Sequence, residues 1–140
     1  MPFIVSTGNR VDREILTDDI RRYGASDCLV GFLFNYLAPR EASVVVQGCA
    51  STNSTIADEV FQGTVLGPPL NNVFFKDIVD TIRQCLFRIA KFANDLTAYR
   101  NFSSTTSNAQ IEADLRQCQR ACHQWGVSRR VTFDAAKQYF

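Results

Sequence analysis

The run Leu86-Phe87-Arg88-Ile89-Ala90-Lys91-Phe92 leads through Ala93-Asn94-Asp95 into Leu96-Thr97-Ala98-Tyr99-Arg100-Asn101-Phe102. Two short runs rich in Leu, Ile, Phe and Tyr, separated by a small polar tip, predict an antiparallel β-hairpin. Downstream, residues 103–108 are small and polar and read as a linker. Residues 109–125 carry Ile111, Leu115, Cys118, Cys122 and Trp125 at steps of three or four, which predicts an amphipathic helix with Gly126 as its stop. Residues 131–133 read as a short strand, and residues 134–140 begin another element. Upstream, residues 70–82 read as a helix entered through Pro68 and Pro69, after a Gly- and Pro-rich loop over 62–69. Val44-Val45-Val46 predicts a strand over 43–47, followed by a turn over 49–55 and a return strand over 55–61. Two helices precede these elements. One covers 11–23 and stops at Gly24. The other is capped by Ser26 or Asp27 and ends before Pro39. Hairpins mixed with helices predict an α+β fold, a mostly antiparallel sheet with helices packed on one face.

Composition narrows the function. The 140 residues fit one domain, and 46% apolar residues suffice for a core without staples. Fifteen basic residues against fourteen acidic ones exclude a generally basic nucleic-acid binder, so any such contact comes from a local patch. No apolar run reaches 18 residues, and Met1-Pro2-Phe3-Ile4-Val5 lacks a basic leader, so no membrane association and an intracellular location (cytoplasm or nucleus) are expected. The five cysteines, Cys28, Cys49, Cys85, Cys118 and Cys122, form no Cys-x-x-Cys pair. Cys118, Cys122 and His123 cluster on one segment and read either as zinc ligands or, more simply, as reduced, half-buried thiols at the core or its boundary.

Two segments carry a resemblance. One is Val60-Phe61-Gln62-Gly63-Thr64-Val65-Leu66-Gly67-Pro68-Pro69-Leu70, with Asn72, Phe74, Phe75 and Asp77 beyond it. The other is Phe92-Ala93-Asn94-Asp95-Leu96. Together they resemble the palm of reverse transcriptases from non-LTR (LINE-type) retroelements, where a Gln-Gly-x-x-Leu-Gly-Pro stretch precedes a Phe/Tyr-Ala-Asp-Asp hairpin. Arg10-Val11-Asp12-Arg13-Glu14-Ile15-Leu16 and Tyr36-Leu37-Ala38-Pro39-Arg40 are similar to the connection after the first palm motif. Trp125-Gly126 and Phe133-Asp134-Ala135-Ala136-Lys137 are similar to the segment ending in the palm lysine. The resemblance covers nearly the whole chain and implies one partial palm domain over 1–140, with fingers incomplete and thumb absent. It implies RNA-directed DNA polymerase ancestry, an RNA template and DNA primer as partners, and Mg²⁺ as cofactor. Such chemistry uses two metal ions on aspartates to stabilise the attacking and leaving oxygens. The resemblance assigns metal ligation to Asp95, a catalytic position to Asn94, proton donation to Lys137, and nucleotide contact to Gln62, Gly63 and Phe92.

The departures from the family pattern bear on activity. Asn94 stands where the family has its first hairpin aspartate, and a neutral amide is a poorer Mg²⁺ ligand than a carboxylate. Aligned through Arg10-Val11-Asp12, Phe3 falls on the catalytic aspartate of the first motif, Gly8 on its aromatic and Asn9 on its second aspartate. Asn71 replaces a usual bulky residue, and Arg129 an asparagine. Two metal carboxylates are therefore replaced, and no polymerase activity is expected. The chain reads as a decayed, truncated or deliberately inactivated copy, or else as a non-catalytic module binding RNA, primer–template or protein. Arg10, Arg13, Arg21 and Arg22, and separately Arg116, Arg120, Arg129 and Arg130, read either as phosphate-binding patches or as solvated helix faces. A palm without fingers and thumb is expected to expose apolar sheet surface and to self-associate.

Overall fold

The computed structural model describes residues 2–6, 11–57, 63–92 and 95–133. In chain order its elements are β1 (Pro2–Ser6), α1 (Arg13–Arg22), α2 (Asp27–Tyr36), β2 (Arg40–Ala42), β3 (Val45–Val46), β4 (Cys49–Ala50), β5 (Ser54–Ile56), α3 (Gly67–Phe74), α4 (Lys76–Gln84), β6 (Arg88–Phe92), β7 (Asp95–Tyr99) and α5 (Asn108–Ser128). Helices thus combine with small antiparallel sheets. The chain gathers into two compact units, Val11–Phe74 and Phe75–Phe140 with Met1–Arg10.

In the unit Val11–Phe74, the Asp12 carboxylate caps α1 by accepting from the Glu14 and Ile15 amides. Its end is a Schellman turn: the Gly24 amide donates to the Arg21 carbonyl and the Ala25 amide to the Ile20 carbonyl, with Gly24 at φ 89°. Ser26 caps α2, which stops at Tyr36, ahead of Pro39. Leu16 and Ile20 on α1 and Val30 and Leu33 on α2 are buried. The Val44–Val46 run forms a shorter strand than the sequence suggests. β3 turns through Gln47 and Gly48, both at positive φ, and pairs with β4, where only a turn was expected. Two consecutive left-handed residues are what a two-residue hairpin turn requires. β5 pairs instead with β2, and the rest of the expected return strand, residues 58–61, lies outside the described residues. α3 starts earlier than expected, at Gly67, because prolines suit a first turn, whose amides have no helical partner. The single helix expected over 70–82 is two helices, parted at Phe75 (φ −92°, ψ 10°).

In the other unit, β7 is the middle strand of a three-stranded antiparallel sheet, β1-β7-β6. Burial alternates along β7. Leu96 and Ala98 are buried, while Asp95 and Tyr99 are exposed. One face of the pleat therefore meets the core and the other is open. Ile78 and Ile82 of α4 and Leu115, Cys118, Cys122 and Trp125 of α5 are buried in this unit, and each of the isoleucines and the leucine contributes about 1.5–3 kcal/mol by leaving water. The Phe75 and Trp125 rings lie 5.5 Å apart.

Gly126 does not end α5, which continues to Ser128. The Schellman turn falls later, with Arg130 in the left-handed region at φ 56° and the Val131 amide donating to the Gly126 carbonyl at 2.8 Å. Gly126 serves packing instead. A Cβ there would lie 2.6 Å from Phe133 Cε2 and 3.0 Å from the Val131 carbonyl oxygen. The strand expected over 131–133 is reduced to a single bridge residue, Phe133, and residues 134–140 lie outside the described residues.

Candidate functional site

The β6–β7 hairpin positions the residues singled out by sequence. Phe92 closes β6 and Asp95 opens β7, the two standing opposite each other in the register. The connection is therefore residues 93 and 94, one residue shorter than the tip read from sequence, and Asp95 belongs to the strand. Asp95 is exposed and forms no ion pair with a described residue. Asn94, Gln62 and Lys137 lie outside the described residues. Gly63 sits in a turn of the other unit at φ 76°, and a Cβ there would meet nothing within 4 Å. The backbone conformation, not crowding, is what favours glycine at this position.

On the far side of Asp95, β1 supplies the neighbouring strand. Ser6 is registered opposite Asp95, and Phe3 opposite Ala98. Phe3, aligned by sequence with a metal-ligand aspartate, thus stands three positions along the strand from Asp95, about 10 Å at strand rise. The other described carboxylates of this unit are engaged by arginines: Asp77 by Arg129, Asp80 by Arg83, Asp114 by Arg100 and Glu112 by Arg116. Among the described residues no group of three or more His, Cys, Asp or Glu side chains gathers that could hold a metal. Asp95 offers one hard-oxygen site, and this donor set does not fit a Mg²⁺ pair held by several carboxylates.

The open face of the sheet carries Asp95, Thr97 and Tyr99 from β7 with Arg88 and Ala90 from β6. Pro2, Ile4 and Ser6 of β1 and Phe92 of β6 hold the opposing register positions, so the face mixes polar and apolar residues. The exposed large apolar side chains of the chain include Leu29 and Phe32 on α2 and Val44, Val45 and Val46 around the β3 hairpin. Beneath the sheet, Lys91 is half-buried, its ammonium lying 4.5 Å from the centre of the Phe75 ring with no hydrogen-bond partner among the described residues. Burial pushes its pKa below the usual lysine value.

Both arginine-rich stretches are largely committed to structure. Arg21 pairs with Asp18 at 2.7 Å, Arg22 with the buried Asp19, and Arg13 lies 4.0 Å over the Phe34 ring. Arg129 is buried and paired with Asp77 across the unit, and Arg116 pairs with Glu112. The Asp77–Arg129 pair, 52 residues apart, has no sequence signal. Cys118 and Cys122 are buried, whereas His123 is exposed with its ring 5.4 Å from that of Phe133. The hydrogen bond to Cys122, then burial, raises the Cys118 pKa; burial, then Cys118, raises that of Cys85. Thiols so held stay protonated and behave as core residues.

Sequence reading passed over the far end of the same sheet. Leu86, Arg88, Tyr99, Arg100 and Asn101 line a cup of about 230 Å³. The alternation Arg88-x-Ala90 opposite Thr97-x-Tyr99, once the hairpin is registered, is the signal that places Arg88 beside Tyr99. Comparison of the chain with protein-family models and with curated proteins returns no match.

Proposed function

We propose that the chain is the palm segment of a reverse transcriptase of non-LTR retroelement descent, an RNA-directed DNA polymerase by origin that no longer transfers nucleotides. The observation that carries the reading is the sheet order β1-β7-β6. A hairpin bearing the Phe92-Ala93-Asn94-Asp95 motif lies against the strand formed by the segment that the alignment through Arg10-Val11-Asp12 places at the first palm motif. That is the neighbourhood two-metal chemistry needs, since carboxylates from separate strands must converge on one pair of ions. The depleted carboxylates argue against turnover: each 1.4 kcal/mol of lost transition-state stabilisation is about tenfold in rate. RNA template and DNA primer are the partners this reading implies.

The test restores carboxylates and measures Mn²⁺ affinity by electron paramagnetic resonance, with Mn²⁺ standing for Mg²⁺. Asn94→Asp is expected to tighten binding about tenfold, the equivalent of roughly 1.4 kcal/mol. Neighbouring strands are about 4.8 Å apart. Adding Ser6→Asp to Asn94→Asp is therefore expected to tighten binding further, whereas adding Phe3→Asp is not. Unchanged affinity in Asn94→Asp and in the Asn94→Asp, Ser6→Asp pair refutes the palm reading. Primer extension by the unaltered chain with Mg²⁺ refutes the loss of activity. The second reading, a module that binds RNA or primer–template without chemistry, is favoured by the exposed Arg88 on the open face, which forms no ion pair with a described residue.

A further inference from the structure

We infer that the cup formed by Arg88, Tyr99, Arg100 and Asn101 binds a phosphodiester group of a single-stranded nucleic acid, with the adjoining base stacked on Tyr99. The inference rests on the nucleic-acid-binding reading above and names a site for it at the opposite end of the sheet from the hairpin motif.

The site begins with the strand register. Arg88 and Tyr99 are directly opposed on the open face of β6 and β7, so their side chains rise from the sheet as neighbours. They stand four register steps from the Phe92–Asp95 pair, about 13 Å along the strands. The chain leaves β7 through Arg100 and Asn101, which close the cup's rim, and Leu86 forms its remaining wall. The volume, about 230 Å³, admits a phosphate with part of its sugar and is small for a complete dinucleotide.

The two guanidinium groups differ in a way that suits an anion. Arg100 is fixed: it pairs with Asp114 at 3.0 Å and lies 4.9 Å over the Phe102 ring and 5.9 Å over the Phe87 ring. Its orientation is set by these contacts, so little side-chain entropy remains to be lost on binding. The Arg88 side chain is exposed and, among the described residues, has no ion pair, hydrogen bond or ring contact. Arg88 therefore supplies the available guanidinium of the cup, beside an Arg100 already held by Asp114 and with Asn101 at the rim, and planar guanidinium donors match phosphate oxygens. Tyr99, with 38% of its surface exposed, offers an aromatic face at the rim. A cationic groove beside an exposed ring is how strands are held without sequence readout, because every base has a face to stack.

The test is fluorescence anisotropy of a labelled oligothymidylate of about ten nucleotides, titrated with the full chain over a range of salt. Arg88→Ala is expected to weaken binding about tenfold and to reduce the slope of log affinity against log salt by about one. Tyr99→Leu is expected to weaken binding about fivefold or more with the salt slope unchanged. Arg116→Ala, an exposed arginine on α5 paired with Glu112, is the control and is expected to change little. Circular dichroism checks that each variant remains folded. Binding that survives Arg88→Ala and Tyr99→Leu intact overturns this site while leaving the nucleic-acid-binding reading in place. No binding by the unaltered chain overturns both. Thymidine monophosphate displacing the probe as effectively as unlabelled oligomer overturns the strand assignment in favour of a mononucleotide site.

Discussion

Replacing Gly126 with alanine tests how the end of α5 is held. Inside a helix, alanine is worth about 1 kcal/mol more than glycine, so propensity alone predicts stabilisation. The contacts predict the opposite. The new Cβ would stand 2.6 Å from Phe133 Cε2, and carbon–carbon contacts are optimal at about 3.5–4.0 Å. The ring must therefore give by about 1 Å, and it is edge-on to His123 and tilted against Trp125 at 6.4 Å. The Val131 carbonyl, 3.0 Å from the same Cβ, is backbone, and the Val131 amide is tied to Gly126. Overpacking of this kind costs about 1–3 kcal/mol, and loosening the Val131–Gly126 hydrogen bond adds about 1 kcal/mol. After the propensity gain, Gly126→Ala is expected to destabilise the chain by about 1–3 kcal/mol. Urea denaturation followed by tryptophan fluorescence measures it, since Trp125 is the one tryptophan and lies beside the affected ring. Phe133→Ala removes the nearest obstacle, so the cost of Gly126→Ala should fall by about 1 kcal/mol in that background, a coupling a double-mutant cycle resolves. Stabilisation by about 1 kcal/mol in both backgrounds refutes the argument that Gly126 exists to admit the returning chain.

Lys91→Met is expected to raise stability at pH 7, because the ammonium is poorly hydrated on Phe75. The folded pKa is lowered, so above it the unfolded chain binds more protons and stability rises with pH toward 10.5. The gap in urea midpoint between variant and parent should therefore shrink as pH rises; a constant gap sinks the idea. Asp77→Asn removes the carboxylate paired with the buried Arg129 and is expected to cost about 1–3 kcal/mol, the lower part being favoured because Asp77 is 42% exposed. The same change in an Arg129→Met background should cost nearly nothing, and an equal cost in both refutes the pairing. Leu86, at φ 64° and 71% exposed, ends α4 in a left-handed conformation. Leu86→Gly is expected to raise the urea midpoint by the equivalent of about 0.5–1 kcal/mol, and a lowered midpoint refutes the strain argument.

The β6–β7 hairpin and α5 were legible because their signals are local. A short connection fixes the pairing of its own strands, and apolar residues at steps of three or four mark a helical face. What escaped was set by distant partners or by turns without their usual residues. Leu86 and Arg130 occupy left-handed positions that glycine would advertise, so the stop of α5 was read at Gly126, whose lack of a side chain serves Phe133 instead. β1 was missed as a strand because its partner, β7, lies some ninety residues away. The break at Phe75 interrupts an unbroken apolar periodicity, and only the packing of its ring on Trp125 shows why that residue matters there.

The same distinction separates the two ends of the sheet. At the hairpin end, motif alignment and strand register give different answers about which upstream residue accompanies Asp95. Alignment counts residues from Arg10-Val11-Asp12 and arrives at Phe3, whereas hydrogen bonding between β1 and β7 sets Ser6 opposite Asp95. A metal ion reads distances and not alignments, so the register decides where a carboxylate would be useful. A three-residue step is also odd, and on a pleat of period two it exchanges one face for the other. An aspartate introduced at position 3 therefore takes the register position opposite Ala98 and not the one opposite Asp95. At the other end no motif exists to align, and the register alone brings Arg88 to Tyr99. An interaction with phosphate needs only cationic donors and an aromatic face on one side of a sheet. That requirement involves no carboxylate at the hairpin, so under the proposed reading binding does not depend on the chemistry the hairpin motif would carry.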